Sequence, residues 1–361
     1  MKKPLLTTLI PLIILSLGLT TILFLNNKQN TIPQIPKPKN NNSINIVFTT
    51  DKKYSPYLKV ALKSLILNKD KDSIYNIYIL SIDLNKKTQE ELKTFKQNDV
   101  EINTVPLKVK TLDKIIDKKI NFFYVSRADL FKFFIPEMFQ NFDKILYLDS
   151  DILVLGDVSK IYNYDLEDKY IGAIQESYLN EEFKYNCGVI LFDIKKCSEN
   201  NITKKLIQAK NNDKKHIYIT QPFFHEVLDE AKVKTMPFEF NRFSTTDEKE
   251  FKKFNYKDLY YKNDKTINSL DDVDKRAIII HFLAYKKPWQ YEKIPFANQW
   301  WYYAHLINPN WKVEKKRNTI QNFLLALQIS IAANKEKKFA SLKSALDNFN
   351  RNFKYLTKED K

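Results

Sequence analysis

Short apolar runs alternate with longer segments of helical periodicity along the chain from Ile44 onward. The first run, Ile44 to Thr50, has the pattern of a buried strand, and the next segment predicts a helix from Pro56 to Asn68. Further strands are predicted at Tyr75–Ile82, Val100–Val105, Lys144–Leu148, Ile152–Leu155, Tyr170–Ile174, Cys187–Asp193 and Ala277–Phe282, and further helices at Lys86–Gln97 and Ala128–Phe139. Repeated β-α-β units predict an α/β nucleotide-binding architecture, with a mostly parallel mixed sheet flanked by helices.

The segment before these elements has a different pattern. Residues 5–25 form an uncharged, mostly apolar stretch of 21, which at about 1.5 Å per residue spans a hydrocarbon core of roughly 30 Å. A short basic N-terminus, residues 1–4, precedes the stretch, and residues 26–43, rich in Pro, Asn and Lys, follow as a spacer. A cleaved signal peptide is the alternative, but the small residues of a cleavage site are missing. We therefore expect a single-pass, type II membrane anchor, in the inner membrane of a bacterium or the ER or Golgi of a eukaryote.

Two aspartates follow the strand Lys144–Leu148 directly. Asp149 and Asp151 are separated by one residue and are followed by another apolar run. Carboxylates at this spacing can face one divalent cation if the backbone bends, and Mg²⁺ and Mn²⁺ prefer oxygen ligands. An isolated Asp-x-Asp also occurs in surface turns, but a hydrophobic strand on each side favours a metal site.

A second polar element follows the last apolar strand. That strand ends at His281, and Lys287 lies six residues further on. Strands of one parallel sheet bring their carboxyl ends to the same edge, so we expect His281 to lie beside Asp149 and Asp151. Imidazole suits Mn²⁺ as a ligand, and a lysine beside it could neutralise a leaving diphosphate. The alternative interpretation is a core histidine followed by a surface Lys-Pro turn.

These motifs, in this order, resemble those of the family-8 retaining glycosyltransferases, the group that includes glycogenin and bacterial lipopolysaccharide galactosyltransferases. The resemblance runs from Ile44 to Trp301. The motifs that carry it are Ile46–Asp51 with Tyr54, Ser126–Asp129 through Pro136-Glu137, Leu148–Asp151, Asn186–Val189, and His281 with Lys287-Pro288-Trp289. The resemblance implies a GT-A-type, Rossmann-like catalytic domain at residues 44–311. It also implies transfer of a hexose from a UDP-sugar, with retention, to a hydroxyl of a glycan, lipid-linked glycan or protein.

The same resemblance implies a role for each site residue. Asp149, Asp151 and His281 would bind Mn²⁺ or Mg²⁺. Asp51 would hydrogen-bond the uracil and Tyr54 would stack on it. The implied catalytic residues, which hold the sugar and the leaving diphosphate, are Gln221, Asn186 and Lys287. The other implied donor contacts are Thr49, Lys132, Ser150, Glu176 and Gly188.

Four positions depart from the family's usual pattern, and one of them is Lys53, where a small polar residue is common. Lys132 stands where an arginine is usual, Thr220 where an aspartate precedes the glutamine, and Ala284 where a glycine is usual. Loss of the bidentate guanidinium weakens the expected donor contact at Lys132. The departures leave open an alternative function, a non-catalytic nucleotide-sugar-binding protein that keeps the fold.

Charge and composition indicate which partners the chain can have and whether disulfides stabilise it. The chain has 59 Lys and Arg against 43 Asp and Glu, a net charge of +16 that favours acidic partners. Its basic residues form no recognisable nucleic-acid motif, so we expect no nucleic-acid partner. Two cysteines are too few for a disulfide framework. Residues 312–361 are predicted to form a basic helical tail, which either contacts a membrane or partner or packs on its own domain.

Overall fold

The computed structural model describes residues 32–38, 40, 42–107, 126–175, 185–212, 220–283 and 286–314. Within these residues the strands are β1 (Ile44–Thr50), β2 (Tyr75–Ser81), β3 (Val100–Pro106), β4 (Lys144–Leu148), β5 (Ile152–Val154), β6 (Ile171–Gln175), β7 (Tyr185–Asp193), β8 (Val233–Thr235), β9 (Arg242–Phe243) and β10 (Ile279–His281). Seven of them form the main sheet, in the order β3-β2-β1-β4-β7-β6-β8. Strand β7 runs antiparallel to β4 and β6, and the other neighbours are parallel. The predicted mostly parallel mixed sheet is confirmed.

Both faces of the main sheet are covered. Every residue of β1 is buried, and its side chains alternate between two hydrophobic clusters. Phe48 lies in one cluster with Leu62 of the first helix, and Val47 lies in the other with Phe131. Burial on both faces explains why β1 carries apolar side chains on each of them, with Ile46 and Phe48 on one face and Val47 on the other.

Helices fill the connections between the strands. The described α-helices are α1 (Ser55–Leu67), α2 (Lys86–Lys93), α3 (Ile135–Met138), α4 (Ser159–Tyr162), α5 (Ile194–Glu199), α6 (Ile202–Asn212), α7 (Gln221–Val227), α8 (Glu248–Lys253), α9 (Tyr256–Tyr261), α10 (Leu270–Asp274) and α11 (Ala297–Ile307). The segment predicted as a helix at Ala128–Phe139 is helical, but Arg127–Phe134 forms a 3-10 helix and only the short α3 follows it. Pro136 lies in the first turn of α3, since proline has no amide hydrogen for the interior of a longer helix.

A second, three-stranded sheet has the order β5-β10-β9. Strand β10 runs antiparallel to β5, with His281 opposite Ile152, and parallel to β9. The sequence pattern placed His281 at the edge of the same parallel sheet as the aspartates, and that expectation is wrong. Apolar strand patterns do not reveal pairing partners, and β10 pairs instead with the strand that leaves Asp151.

The two chain ends of the described region pack on the domain. Ile35, inside the predicted spacer, is buried, and its amide donates to the carbonyl of Met138 at 2.8 Å. Near the other end, the Glu314 amide donates to the Trp289 carbonyl at 2.7 Å, and the Trp289 ring stacks on Tyr57 with centroids 3.6 Å apart. No helix among the described residues is long and apolar enough to cross a membrane. The predicted anchor, residues 5–25, and the tail after Glu314 lie outside them.

Candidate functional site

A cavity of about 300 Å³ lies where β1 and β4 end and where β5 meets β10. The predicted site residues that line it are Thr49, Tyr54, Lys132, Asp149, Ser150, Asp151, Asn186, Gly188, Gln221, His281 and Lys287. Asp51 is not among the lining residues, and Glu176 and Ala284 lie outside the described residues. The chain therefore brings together residues that are up to 238 positions apart, from Thr49 to Lys287.

The turn between β4 and β5 is held on two sides. The Asp149 amide donates to the carbonyl of Gly188 on β7 at 2.8 Å. The Ser150 hydroxyl donates to the carbonyl of Thr49 on β1 at 2.8 Å. Ser150 thus anchors the turn to the main sheet, while the flanking carboxylates of Asp149 and Asp151 line the cavity.

His281 completes a cluster with the two aspartates. Its Nε2 atom lies 3.3 Å from Asp151 Oδ1 and 3.7 Å from Asp149 Oδ2, and the possible ligand atoms all lie within 4.8 Å of one another. Adjacent ligands of an octahedral ion with bonds of about 2.1 Å are roughly 3 Å apart, so the spacing fits one cation. Two carboxylates and an imidazole are a donor set suited to Mn²⁺.

Gly188 makes room for this cluster. A Cβ atom at this position would lie 2.0 Å from His281 Cε1 and 2.9 Å from Asp149 Oδ2. Any side chain there would displace the imidazole or the carboxylate. The glycine is therefore required by close packing behind the cluster.

The two aspartates differ electrostatically. Burial favours the neutral form of Asp151, but Lys287 and His281 outweigh burial and hold its pKa well below the ordinary value. Lys287 Nζ lies 2.6 Å from Asp151 Oδ2 and also donates to the carbonyl of Phe282. Burial raises the pKa of Asp149, and the nearby ammonium of Lys132 offsets this only in part. Positive charge from a bound cation would favour the ionised form of both carboxylates.

Lys132 is buried beside Asp149 in a network that the sequence analysis missed. Its Nζ lies 2.5 Å from Asp129 Oδ1 and 3.1 Å from Asp149 Oδ1, and the Thr220 hydroxyl donates to Asp129 Oδ2 at 2.5 Å. Burial alone would lower the pKa of Lys132, but the two carboxylates outweigh it and hold the pKa well above the ordinary value. Lys132 is therefore a buried cation. The sequence feature that could have revealed the Asp129–Lys132 ion pair is their spacing of three residues, about one helical turn.

Tyr147 connects Asp149 to the first strand. Its hydroxyl donates to Asp149 Oδ1 at 2.5 Å and lies 2.9 Å from the Thr49 hydroxyl. Because a phenol has one hydrogen, Thr49 is the donor in the second bond. Thr49 therefore supports the carboxylate through Tyr147, a residue that the sequence analysis treated only as part of a strand.

The residues predicted to bind uracil occupy the turn before α1. The Tyr54 ring lines the cavity and meets Tyr57 and Trp289 edge-on, with centroids 5.7 and 6.3 Å apart. Asp51 Oδ1 accepts the Tyr54 amide at 2.8 Å. Asp51 thus holds the turn that presents Tyr54, and its predicted contact with the base stays a prediction.

The solved structures that this fold matches include glycosyltransferases. The fold matches the apo structure of the WbbM bifunctional glycosyltransferase with a TM-score of 0.62 and 20% identity, covering 76% of this chain and 51% of that one. It matches the galactosyltransferase LgtC, in complex with donor and acceptor sugar analogs, with a TM-score of 0.57 and 20% identity over 73% and 96% of the two chains. At these identities the likeness shows the fold, which is GT-A-like as expected.

The curated proteins that are similar in sequence also include glycosyltransferases. Glycosyltransferase GlyF of Streptococcus pneumoniae serotype 4 is 27% identical over 270 residues, which cover 72% of this chain and 61% of GlyF. The lipopolysaccharide 1,2-glucosyltransferase of Escherichia coli K12 is 22% identical over 291 residues, covering 76% and 81% of the two. The chain thus spans about three fifths of the length of GlyF. The profile of Glycosyl transferase family 8 matches residues 45–293, most of the chain, and the chain belongs to that family.

Proposed function

We propose that this protein is a metal-dependent, retaining glycosyltransferase that moves a hexose from a UDP-sugar to a hydroxyl of a glycan, lipid-linked glycan or protein acceptor. The observation that carries the proposal is the convergence of Asp149, Asp151 and His281 on one point of a cavity that Lys287 and Tyr54 also line. Membership of family 8 supports the same chemistry.

The metal ligands and Lys287 form the diphosphate end of the site. A divalent cation, if held by Asp149, Asp151 and His281, would supply positive charge that stabilises the charge developing on the leaving diphosphate. Lys287 contributes a second positive charge, and its pairing with Asp151 holds its ammonium beside the cluster. Tyr54, at the same cavity, offers an aromatic face for the uracil ring.

The other wall of the cavity provides hydrogen-bonding groups for the sugar. Asn186 and Gln221 line it together with the Lys132, Asp129 and Thr220 network. Where the family usually has an acidic residue, Thr220 instead donates to Asp129, so a carboxylate still occupies this part of the pocket. Asp129 therefore supplies a carboxylate beside Thr220 and a partner for Lys132, which favours an active enzyme over the non-catalytic alternative.

Retention of configuration at the anomeric carbon follows most simply if the acceptor oxygen attacks from the same face of the sugar that the diphosphate leaves. The carboxylates that line the described cavity are Asp129, Asp149 and Asp151, and each already has a basic partner, Lys132, His281 or Lys287. We therefore assign none of them as a covalent nucleophile. The acceptor oxygen forms its bond to the anomeric carbon as the bond to the diphosphate breaks, and a diphosphate oxygen takes the acceptor's proton. Asn186 and Gln221 would hold the sugar during this step.

Membrane attachment through residues 5–25 is the second part of the proposal. The apolar stretch in the sequence supports it, and it would keep the catalytic domain beside a membrane-bound acceptor. A relative named as a lipopolysaccharide glucosyltransferase supports a glycan acceptor of this kind.

A donor screen tests the proposal. The full chain is incubated with a panel of nucleotide sugars and Mn²⁺, and release of the nucleoside diphosphate is measured with and without excess EDTA. We expect release from one or more UDP-sugars, loss of release in EDTA, and recovery when Mn²⁺ is restored. Equal release in EDTA would overturn metal dependence. If the protein binds a UDP-sugar tightly but releases no UDP, whichever acceptor is added, the non-catalytic alternative is favoured.

A further inference from the structure

Asn241 joins the two halves of the proposed site from behind. It is fully buried between the 3-10 helix Phe238–Phe240 and β9. Its Oδ1 lies 3.1 Å from His281 Nδ1, and its Nδ2 donates to Asn186 Oδ1 at 2.9 Å. One side chain therefore contacts both a metal ligand and a residue of the sugar pocket.

The directions of these hydrogen bonds follow from a single backbone group. The Gly188 amide, which can only donate, lies 2.9 Å from Asn186, so the Asn186 atom in that contact is the oxygen. The same oxygen faces Asn241, so the Asn241 atom there is its NH₂ group. The opposite end of Asn241 is then an oxygen, which can only accept, and His281 Nδ1 must carry the hydrogen.

We propose that Asn241 is a positioning residue that sets the proton arrangement of both His281 and Asn186. With the hydrogen on Nδ1, the neutral imidazole of His281 presents the lone pair of Nε2, the atom 3.3 Å from Asp151 and 3.7 Å from Asp149. That is the state in which an imidazole binds a cation, and a partner on the other ring nitrogen is the usual way to secure it. This inference rests on the proposed function for the identity of the metal and donor, but the proton arrangement can be measured without either.

The hydrogen bonds from Gly188 and Asn241 also limit which sugar groups Asn186 can bind. Its oxygen already accepts two hydrogen bonds, from Gly188 and Asn241. The group that Asn186 can offer to the cavity is therefore its NH₂ donor. The donor sugar must present an acceptor there, such as a hydroxyl or carbonyl oxygen.

The surrounding backbone is held independently of the Asn241 side chain. The Ser244 amide donates to the His281 carbonyl at 2.9 Å, and β9 pairs with β10. Arg242, next in the chain, is buried and its Nε lies 2.6 Å from Asp274 Oδ1. Replacing Asn241 should therefore change proton positions more than backbone positions.

Two variants separate the two roles. Asn241→Leu removes both hydrogen bonds, whereas Asn241→Asp keeps the acceptor for His281 and removes the donor to Asn186. The first readout is the ring ¹⁵N chemical shifts of metal-free full chain, labelled at its four histidines, with the His281 signals identified by their absence in His281→Gln. The second is Mn²⁺ binding, followed by the paramagnetic resonance of free Mn²⁺. The third is the binding of UDP compared with that of the preferred UDP-sugar.

We expect the wild-type protein to hold the hydrogen of His281 on Nδ1. Asn241→Leu should mix the two tautomers and weaken Mn²⁺ binding about 10- to 100-fold. Asn241→Asp should keep the tautomer and bind Mn²⁺ within a few-fold of wild type, yet lose the extra affinity for UDP-sugar over UDP. Asn45→Leu is the control, because Asn45 is a buried, hydrogen-bonded asparagine in β1 outside the cavity, and it should leave Mn²⁺ binding unchanged.

Two results would overturn the inference. One is a wild-type His281 that lacks a hydrogen on Nδ1 in the metal-free protein, a result that does not depend on any variant folding. The other is a folded Asn241→Leu protein with wild-type tautomer and wild-type Mn²⁺ affinity. If instead the wild-type protein binds no Mn²⁺, the proposed function fails, and the ¹⁵N shifts still decide the role of Asn241.

Discussion

His281 lies opposite Ile152 in the antiparallel pairing of β10 with β5. Because Ile152 follows Asp151 directly, this register delivers the imidazole to the Asp149–Asp151 turn from a strand outside the main sheet. The backbone on both sides is bonded, since the Phe282 amide donates to the Asp151 carbonyl at 3.1 Å. The 130 positions between Asp151 and His281 are thus bridged by one local pairing.

Replacing a metal ligand should abolish most transfer. Asp149→Asn removes a charged oxygen ligand and leaves the size of the side chain unchanged, so the cation and the donor diphosphate lose their electrostatic support. We expect transfer to fall about 100- to 1,000-fold, measured as UDP release at saturating Mn²⁺. Asp168→Asn, at an exposed aspartate outside the cavity, should keep full activity. Retention of most activity in Asp149→Asn would contradict the metal assignment.

Gly188→Ala should damage the site without unfolding the protein. The new methyl would lie 2.0 Å from His281 Cε1, so the imidazole must move away from the aspartates. Mn²⁺ affinity, measured by calorimetry, should fall while the circular dichroism spectrum stays unchanged. Gly156→Ala is a matched control, because its methyl would meet Ile278 at an ordinary 3.5 Å. Equal Mn²⁺ affinity in both variants would show that His281 is not a ligand.

Lys132→Met should reduce stability as well as activity. Lys132 is buried between the half-buried carboxylates of Asp129 and Asp149, and removing its charge leaves both without their cation. Breaking a buried pair in this way typically costs about 3–5 kcal/mol, to be measured as the free energy of unfolding in urea. Lys275→Met, at an exposed pair with Asp271, should leave that free energy nearly unchanged. A similar small change at Lys132 would contradict the network.

Truncation should separate the anchor from the catalytic domain. A protein lacking residues 1–31 keeps Ile35, which is buried in the same hydrophobic cluster as Val47 and Phe131. A protein lacking residues 1–43 loses it. We expect both to leave the membrane fraction and to bind UDP with Mn²⁺. The shorter deletion should be more stable by about 1.5–3 kcal/mol, the value of one buried isoleucine, in urea unfolding. A membrane-bound protein lacking residues 1–31 would contradict the anchor assignment.

The elements that depend on local pattern were predictable from the sequence. The bounds of β1 and β4 agree with their apolar runs, and the aspartates that follow β4 were identified because apolar strands flank them. Features that depend on pairing were not predictable. Nothing in the pattern of β10 shows that it leaves the main sheet, and nothing in the single polar position of Asn241 shows that it contacts His281.

Asp129 illustrates a different limit. A lysine three residues after an aspartate is common on exposed helical faces, where such a pair adds little stability. Here the pair is buried against the Asp149 carboxylate, and burial is a tertiary property. The sequence identifies Lys132 as a donor contact and as a departure from the family, but it does not show that Asp129 contacts both Lys132 and Thr220.

The proposed ligands come from both sheets, and this gives the ion a mechanical role. Asp149 ends a strand of the main sheet, Asp151 begins the connection to the small sheet, and His281 belongs to the small sheet alone. A bound ion would link the two sheets, and any rotation of one sheet against the other would stretch its coordination bonds. Loading the site should thus raise the melting temperature of both sheets together, since an ion that binds only the folded state stabilises every element it joins.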